Sequence, residues 1–174
     1  YTLFSDYQIT YDYANSQMIF ERTDDNGDVV KPSNPLSAST PVVIPFEQAQ
    51  HIPIFPVSVN GKTYQVGLDC GASGNLLQAK YYEDVVANDN IKKKRTTPMQ
   101  GAGSEKVKVK TGVFLQVSVG QLTYEDTQFA FEDNTLEQLN NGYGLKLDGL
   151  FGYPFLKKHL TVVNYKKKEI RIFE

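Results

Sequence analysis

The chain has 174 residues, 40% of them apolar, and 18 basic residues against 20 acidic ones leave a formal net charge of −2. That length builds one sizeable domain with its own core rather than two, and the charge gives no general attraction for nucleic acid or another polyanion. Cys70 is the only cysteine, which excludes an internal disulfide, and no apolar run approaches the roughly 18 residues of a membrane span.

Thirteen glycines, eleven tyrosines and ten phenylalanines, with valine and threonine frequent, favour strands over helices. The amino terminus lacks the charged, apolar and small-residue sections of a signal peptide. Because the first residue is Tyr1 and not methionine, either a signal has been removed or the sequence continues from a longer one. Residues 1–22 read as a β-hairpin. Residues 23–45 have linker character: Thr23-Asp24-Asp25-Asn26-Gly27-Asp28 is a turn cluster, followed by Pro32, Pro35, Pro41 and Pro45. Asp24, Asn26 and Asp28 loosely resemble a calcium loop, but glycine falls at the fourth position and Pro35 stands where the closing glutamate belongs, so a turn is expected.

The main domain is expected over 46–174. Ile52 to Val59 and Lys62 to Leu68 flank Asn60-Gly61, the pair suited to a two-residue type I′ turn, and this hairpin delivers Asp69 to a strand end. Gln78 to Val86 has the spacing of a short amphipathic helix. The basic runs Lys92 to Arg95 and Lys166 to Lys168 read as solvated turns. Thr96 to Gln100 and the alternating Lys106-Val107-Lys108-Val109-Lys110 flank Gly101-Ala102-Gly103-Ser104, a second and exposed hairpin. Val113 to Val119 and Gln128 to Phe131 continue the strand pattern, and Asp133 to Lys146 reads as a long loop or marginal helix. Val162-Val163 and Ile170 to Ile172 close the chain as a last hairpin. A faint repeat links the two ends. Leu3-Phe4, Asp12-Tyr13, Met18 and Phe20 recur at a constant offset as Phe155-Leu156, Asn164-Tyr165, Ile170 and Ile172, so the amino-terminal hairpin has either the form of a domain's closing hairpin or the alternation common to any hairpin.

A carboxylate that acts as general base on water needs an oriented, partly desolvated position, and an adjacent glycine lets backbone amides approach it. Asp69 with Gly71 meets that description. Hydrolysis of an amide also needs an acid, and two close carboxylates sharing a proton supply both roles because they do not ionise together easily. The sequence holds one such loop, and Asp148 is the other candidate for the acid. Cys70 as a nucleophile would need a base, and His51 and His159 stand in no thiol-protease setting. Gly101-Ala102-Gly103 lacks the third glycine and the strand-to-helix context of a dinucleotide loop, and one cysteine with two scattered histidines has no zinc spacing. Neither cofactor nor metal is expected.

Leu68-Asp69-Cys70-Gly71-Ala72-Ser73 resembles the Asp-Thr-Gly-Ala-Ser loop of the retropepsin-like aspartic proteases, with cysteine in place of threonine. Leu147-Asp148-Gly149-Leu150-Phe151-Gly152-Tyr153-Pro154-Phe155-Leu156 resembles that group's second signature, and Gly101-Ala102-Gly103 falls where the group carries its flap. The resemblance covers residues 52–174 and is nearest to bacterial members. It implies an all-β, closed acid-protease barrel with one or two short helices, and an aspartic-type peptidase with Asp69 as catalytic residue. Cys70, Gly71, Ala72 and Ser73 would support the loop. Asp148, Gly149, Leu150, Phe151 and Gly152 would form the layer beneath it, and the flap would close over a bound peptide or protein substrate. The second aspartate would come from a homodimer partner or from a preceding homologous domain ending in residues 1–22. The group's frequent export points to a periplasmic or secreted protein. Cys70 departs from the pattern, since a thiol is a weaker hydrogen-bonding group than the hydroxyl it replaces, and the alternative it raises is a non-catalytic domain that keeps the fold to bind peptides.

Overall fold

The computed structural model describes residues 4–32, 39–86, 91–99 and 107–174. Thirteen strands dominate it. In chain order they are β1 (Tyr7–Asp12), β2 (Gln17–Arg22), β3 (Val42–Pro45), β4 (Glu47–Ala49), β5 (Ile52–Val59), β6 (Lys62–Leu68), β7 (Leu76–Leu77), β8 (Ile91–Met99), β9 (Val107–Val119), β10 (Leu122–Phe131), β11 (Gly149–Phe151), β12 (Leu160–Asn164) and β13 (Glu169–Phe173). A 3₁₀ turn at Ala79–Tyr81 runs into α1 (Tyr82–Val86), and α2 (Asn134–Tyr143) and α3 (Tyr153–Leu156) are the other helices among the described residues.

Eight strands form one sheet in the order β4-β5-β6-β11-β7-β10-β9-β8. Because β5 also pairs with β9, through Ser58 with Ser118 and Val59 with Val117, the path β5-β6-β11-β7-β10-β9 returns to its start and encloses a core. Alternation along β5, β6, β9 and β10 points Phe55, Val57, Tyr64, Val66, Phe114 and Phe129 inward, all at most 2% exposed. Phe151 and Phe155 stack there at 4.3 Å with their planes 9° apart, an arrangement that adds about 1 kcal/mol to the area both rings bury.

The second sheet has the order β2-β1-β12-β13-β3. It carries the first and last hairpins side by side, with β1 antiparallel to β12. One face is apolar and packs on the barrel through Val163, Ile170 and Ile172, each fully buried. Part of the segment with linker character belongs to this sheet: Val42–Pro45 pairs with β13. Proline is tolerated there because β3 is an edge strand, where a missing N–H faces no partner.

One local expectation needs correction. Lys92 to Arg95 lie in β8 and not in a turn. This strand ends the eight-stranded sheet, and exposed lysines are what keep such an edge from pairing with another chain. Of the two readings of Asp133 to Lys146 the helix holds, as the ten-residue α2. Asp133 does not cap α2 with its side chain. Its Oδ1 instead accepts the Ala79 N–H at 2.7 Å, and Glu132 takes the Thr135 N–H at 3.0 and 3.2 Å.

Candidate active site

The Asn60-Gly61 turn, both residues at positive φ (53° and 76°), returns β6 toward the sheet interior. At its end the chain cannot continue straight into β7, because β11 lies between them, parallel to β6 and antiparallel to β7. Residues 69–75 therefore cross over the end of β11, and Asp69 is the first residue of that crossing. The Asp69 N–H donates to the Phe151 carbonyl at 2.9 Å and its carbonyl accepts the Ala72 N–H at 3.2 Å. Its side-chain Oδ1 accepts the Gly71 N–H at 2.9 Å. A Cβ at Gly71 would stand 3.3 Å from that same oxygen, so the glycine leaves the carboxylate room to reach the amide.

The layer beneath is built to touch the loop backbone. At Gly152, a Cβ would lie 2.4 Å from the Ala72 carbonyl oxygen and 2.5 Å from that of Gly74. At Gly149 it would lie 2.4 Å from the Leu76 carbonyl oxygen. Leu150 and Phe151 between them are buried, and the Tyr153 N–H donates to the Ala72 carbonyl at 2.9 Å. Asn75, 2% exposed, ties three elements together and was not singled out from the sequence. Its Oδ1 accepts the Gly152 N–H at 3.1 Å, its Nδ2 donates to the Gln128 carbonyl at 3.0 Å, and its own carbonyl accepts the Ala130 N–H at 2.9 Å. An asparagine following Ser73-Gly74 reads as an ordinary turn residue, so only its position after an Asp-x-Gly crossing could have drawn attention to it.

Asp148 lies at the opposite end of β11 from the loop. Its Oδ2 accepts the Gln65 N–H at 2.8 Å and its Oδ1 the Tyr81 hydroxyl; burial first, and then that bond, push the Tyr81 phenol's pKa well up. Asp148 thus fastens β6 and the 3₁₀ turn, and the structure does not bring it to Asp69. Gly101, Ala102 and Gly103 lie outside the described residues. The strands leading to them are described, however, and Thr97, Met99, Val109 and Thr111 face Asp69, Gly71 and Ser73 across a groove of about 380 Å³. Asp69 is half-buried at its floor, while Cys70, Gly71 and Ser73 are exposed.

On the other side of Asp69 and Cys70 a second hollow of about 420 Å³ is lined by Phe4, Tyr11, Met18 and Phe20 of the amino-terminal hairpin. The Tyr11 phenol is pushed strongly up, chiefly by burial and then by the neighbouring Cys70. Among the described residues no three His, Cys, Asp or Glu side chains are grouped to hold a metal ion.

A half-buried carboxylate oriented by a backbone amide, open to a groove with apolar and hydroxyl-bearing walls, can take a proton from a water molecule. It needs a second acid to complete an amide hydrolysis. In overall fold the chain is similar to a retropepsin-like aspartic protease from Rickettsia conorii, with a TM-score of 0.52 at 16% identity over 76% of this chain and 89% of that one. It is also similar, at a TM-score of 0.44 and 16% identity over 64% of this chain and 90% of the other, to the EIAV protease complexed with an inhibitor. No curated protein matches it in sequence. The model of the aspartyl protease family matches residues 55–155, a stretch that begins in β5, ends in α3 and contains the whole crossing, and since this is more than half of the 174 residues the chain belongs to that family.

Proposed function

We propose that the chain is one lobe of an aspartic-type endopeptidase, with Asp69 as one of two facing carboxylates. The observation that carries this reading is the Asp69 side chain at the groove floor with Oδ1 held by the Gly71 amide. One carboxyl of such a pair stays protonated because two adjacent charges repel. The ionised one takes a proton from water as the water oxygen attacks the peptide carbonyl carbon, and the protonated one donates to the carbonyl oxygen. The resulting gem-diol collapses as the C–N bond breaks and a proton passes to the leaving nitrogen, giving a carboxylic acid and an amine. The substrate backbone lies extended along the groove beside the β8 and β9 stem, where strand-like pairing holds it. A homodimer partner or a second domain supplies the facing aspartate.

A second reading is supported by Cys70: an exposed thiol is a weaker hydrogen-bonding group than a hydroxyl, and a loosely held loop is suited to binding without turnover. A statine-type transition-state mimic separates the two in the protein carrying both acids. Peptide hydrolysis strongest at acid pH and blocked by the mimic is expected. Hydrolysis indifferent to the mimic but abolished by a thiol reagent refutes the aspartic mechanism, and peptide bound without cleavage at any pH establishes the binder.

A further inference from the structure

The two hairpins of the five-stranded sheet are copies of one another in conformation. In β1–β2, Asp12 pairs with Gln17 and Tyr11 with Met18; in β12–β13, Asn164 pairs with Glu169 and Val163 with Ile170. Asp12 Oδ1 accepts the Asn15 N–H at 3.1 Å, and Asn164 Oδ1 accepts the Lys167 N–H at 3.0 Å. Each turn then places a residue in the left-handed region, Ser16 at φ 54° and Lys168 at φ 53°. These correspondences all follow the constant offset that relates Asp12 to Asn164. Where β1 meets β12, Thr10 pairs with Val162, which is its own counterpart under that offset. A local twofold axis therefore passes between Thr10 and Val162.

The symmetry of the backbone is broken by burial. Ile170 and Ile172 are fully buried under the barrel, whereas their counterparts Met18 and Phe20 are 48% and 43% exposed. Likewise Leu156 is fully buried and Phe4 is 39% exposed. Ile9 and Tyr11 pair with Phe20 and Met18 on one side and with Val163 and Thr161 on the other, so a single apolar face runs across the sheet, covered on one half and bare on the other. On the covered half β3 adds to the outer edge of β13. On the bare half β2 is the sheet's edge among the described residues. Asp69 and Cys70 stand at the boundary between the halves, in the hollow that Met18 and Phe20 line.

Resting on the reading that Asp69 needs a facing acid, we infer that this bare face is the seat of a second lobe of the same fold, of which residues 7–22 are the closing hairpin, and that this lobe supplies the acid. A second copy of the chain does not fit there. In a twofold dimer its β12–β13 hairpin would take the place beside β12 that β1–β2 of the same chain already fills. Admitting it would strip the β1–β12 hydrogen bonds and expose Ile9 and Tyr11. The lobe instead lies upstream of the hairpin in the same polypeptide, covers Met18 and Phe20 as the barrel covers Ile170 and Ile172, and adds a strand to β2 as β3 adds to β13.

Met18 reports on this cover without any substitution, because an exposed thioether oxidises readily to the sulfoxide. Peroxide oxidation read by mass spectrometry is compared in the 174-residue chain and in the same chain extended through its natural upstream sequence, with Met99 as internal reference. Oxidation of Met18 is expected to slow by about tenfold or more in the longer protein, as burial restricts access to the sulfur. Equal rates, or an upstream sequence that encodes no such lobe, overturn the inference. The sole cysteine gives an independent reading, since copies meeting across a twofold axis at their Asp69 loops would bring two Cys70 thiols together. The 174-residue chain is expected to stay monomeric under mild oxidation, and a Cys70-linked dimer that hydrolyses peptides overturns the inference. Protection of Met18 in a longer protein that still cleaves peptides after Asp69→Asn would instead refute the catalytic reading and leave the second lobe standing.

Discussion

Gly152→Ala tests whether the crossing over β11 depends on the contacts described. The added methyl would lie 2.4 Å from the Ala72 carbonyl oxygen and 2.5 Å from that of Gly74, where ordinary contact begins near 3.4 Å. Both obstacles are backbone atoms of the loop that carries Asp69, so the loop has to lift by roughly 1 Å, a displacement well up the repulsive wall. Overpacking of this kind costs about 1–3 kcal/mol, and an upper-range cost of about 2–3 kcal/mol in a domain of this size lowers Tm by about 4–12 °C. Gly142→Ala is the control: nothing lies within 4 Å of a Cβ there, it sits in α2, and alanine is the better helix former by up to about 1 kcal/mol. Calorimetry or circular dichroism melting should give shifts of opposite sign, or at least no loss for Gly142→Ala. Unchanged Tm for Gly152→Ala would refute the claim that the loop rests on that glycine.

Asn75→Ala removes a buried side chain that bonds Gly152 and Gln128, leaving a buried N–H and a carbonyl without partners. The buried Gly152 N–H costs about 1–3 kcal/mol and the part-buried Gln128 carbonyl is open to water, so denaturant unfolding should show a loss of about 1–3 kcal/mol, and a loss below about 0.5 kcal/mol would contradict the role given to Asn75. His159, edge-on to Tyr124 at 5.4 Å, is held below its ordinary 6.5, by burial first and with Lys158 adding to it against the pull of Glu174. The folded state then binds fewer protons than the unfolded one, so this contribution is present above about pH 6.5 and is lost as pH falls through the folded value. His159→Gln should flatten stability against pH below about 6.5, and an unaltered slope would show that His159 contributes nothing there.

What the sequence made legible was local chemistry. Asn60-Gly61 announces its turn because both residues must take positive φ, and Asp69-Cys70-Gly71 announces an oriented carboxylate because a glycine two positions on lets a backbone amide reach it. What it hid was non-local. Nothing in Leu147 to Gly152 says that β11 inserts between β6 and β7, which is what forces the loop over Gly152 and recruits Asn75. In α2 three asparagines and Gly142 weaken the helix signal, and the cap comes from Glu132, one position before the residue that pattern would nominate. The lysines of β8 suggested a turn because charge runs usually are solvated, yet an edge strand is solvated too. The repeat between the chain's ends was visible as spacing, but its meaning needed the register: only pairing shows that Thr10 faces its own counterpart, Val162.

The central claim concerns one carboxylate. In the protein carrying both acids, Asp69→Asn keeps the shape and the Gly71 hydrogen bond while removing the charge that accepts the water's proton. Peptide hydrolysis should fall by about a thousandfold or more, in line with the loss of an essential general base, with Tm changed by no more than a few degrees. Hydrolysis within about twofold of the unsubstituted protein, with the fold intact, would contradict the assignment of Asp69 as base.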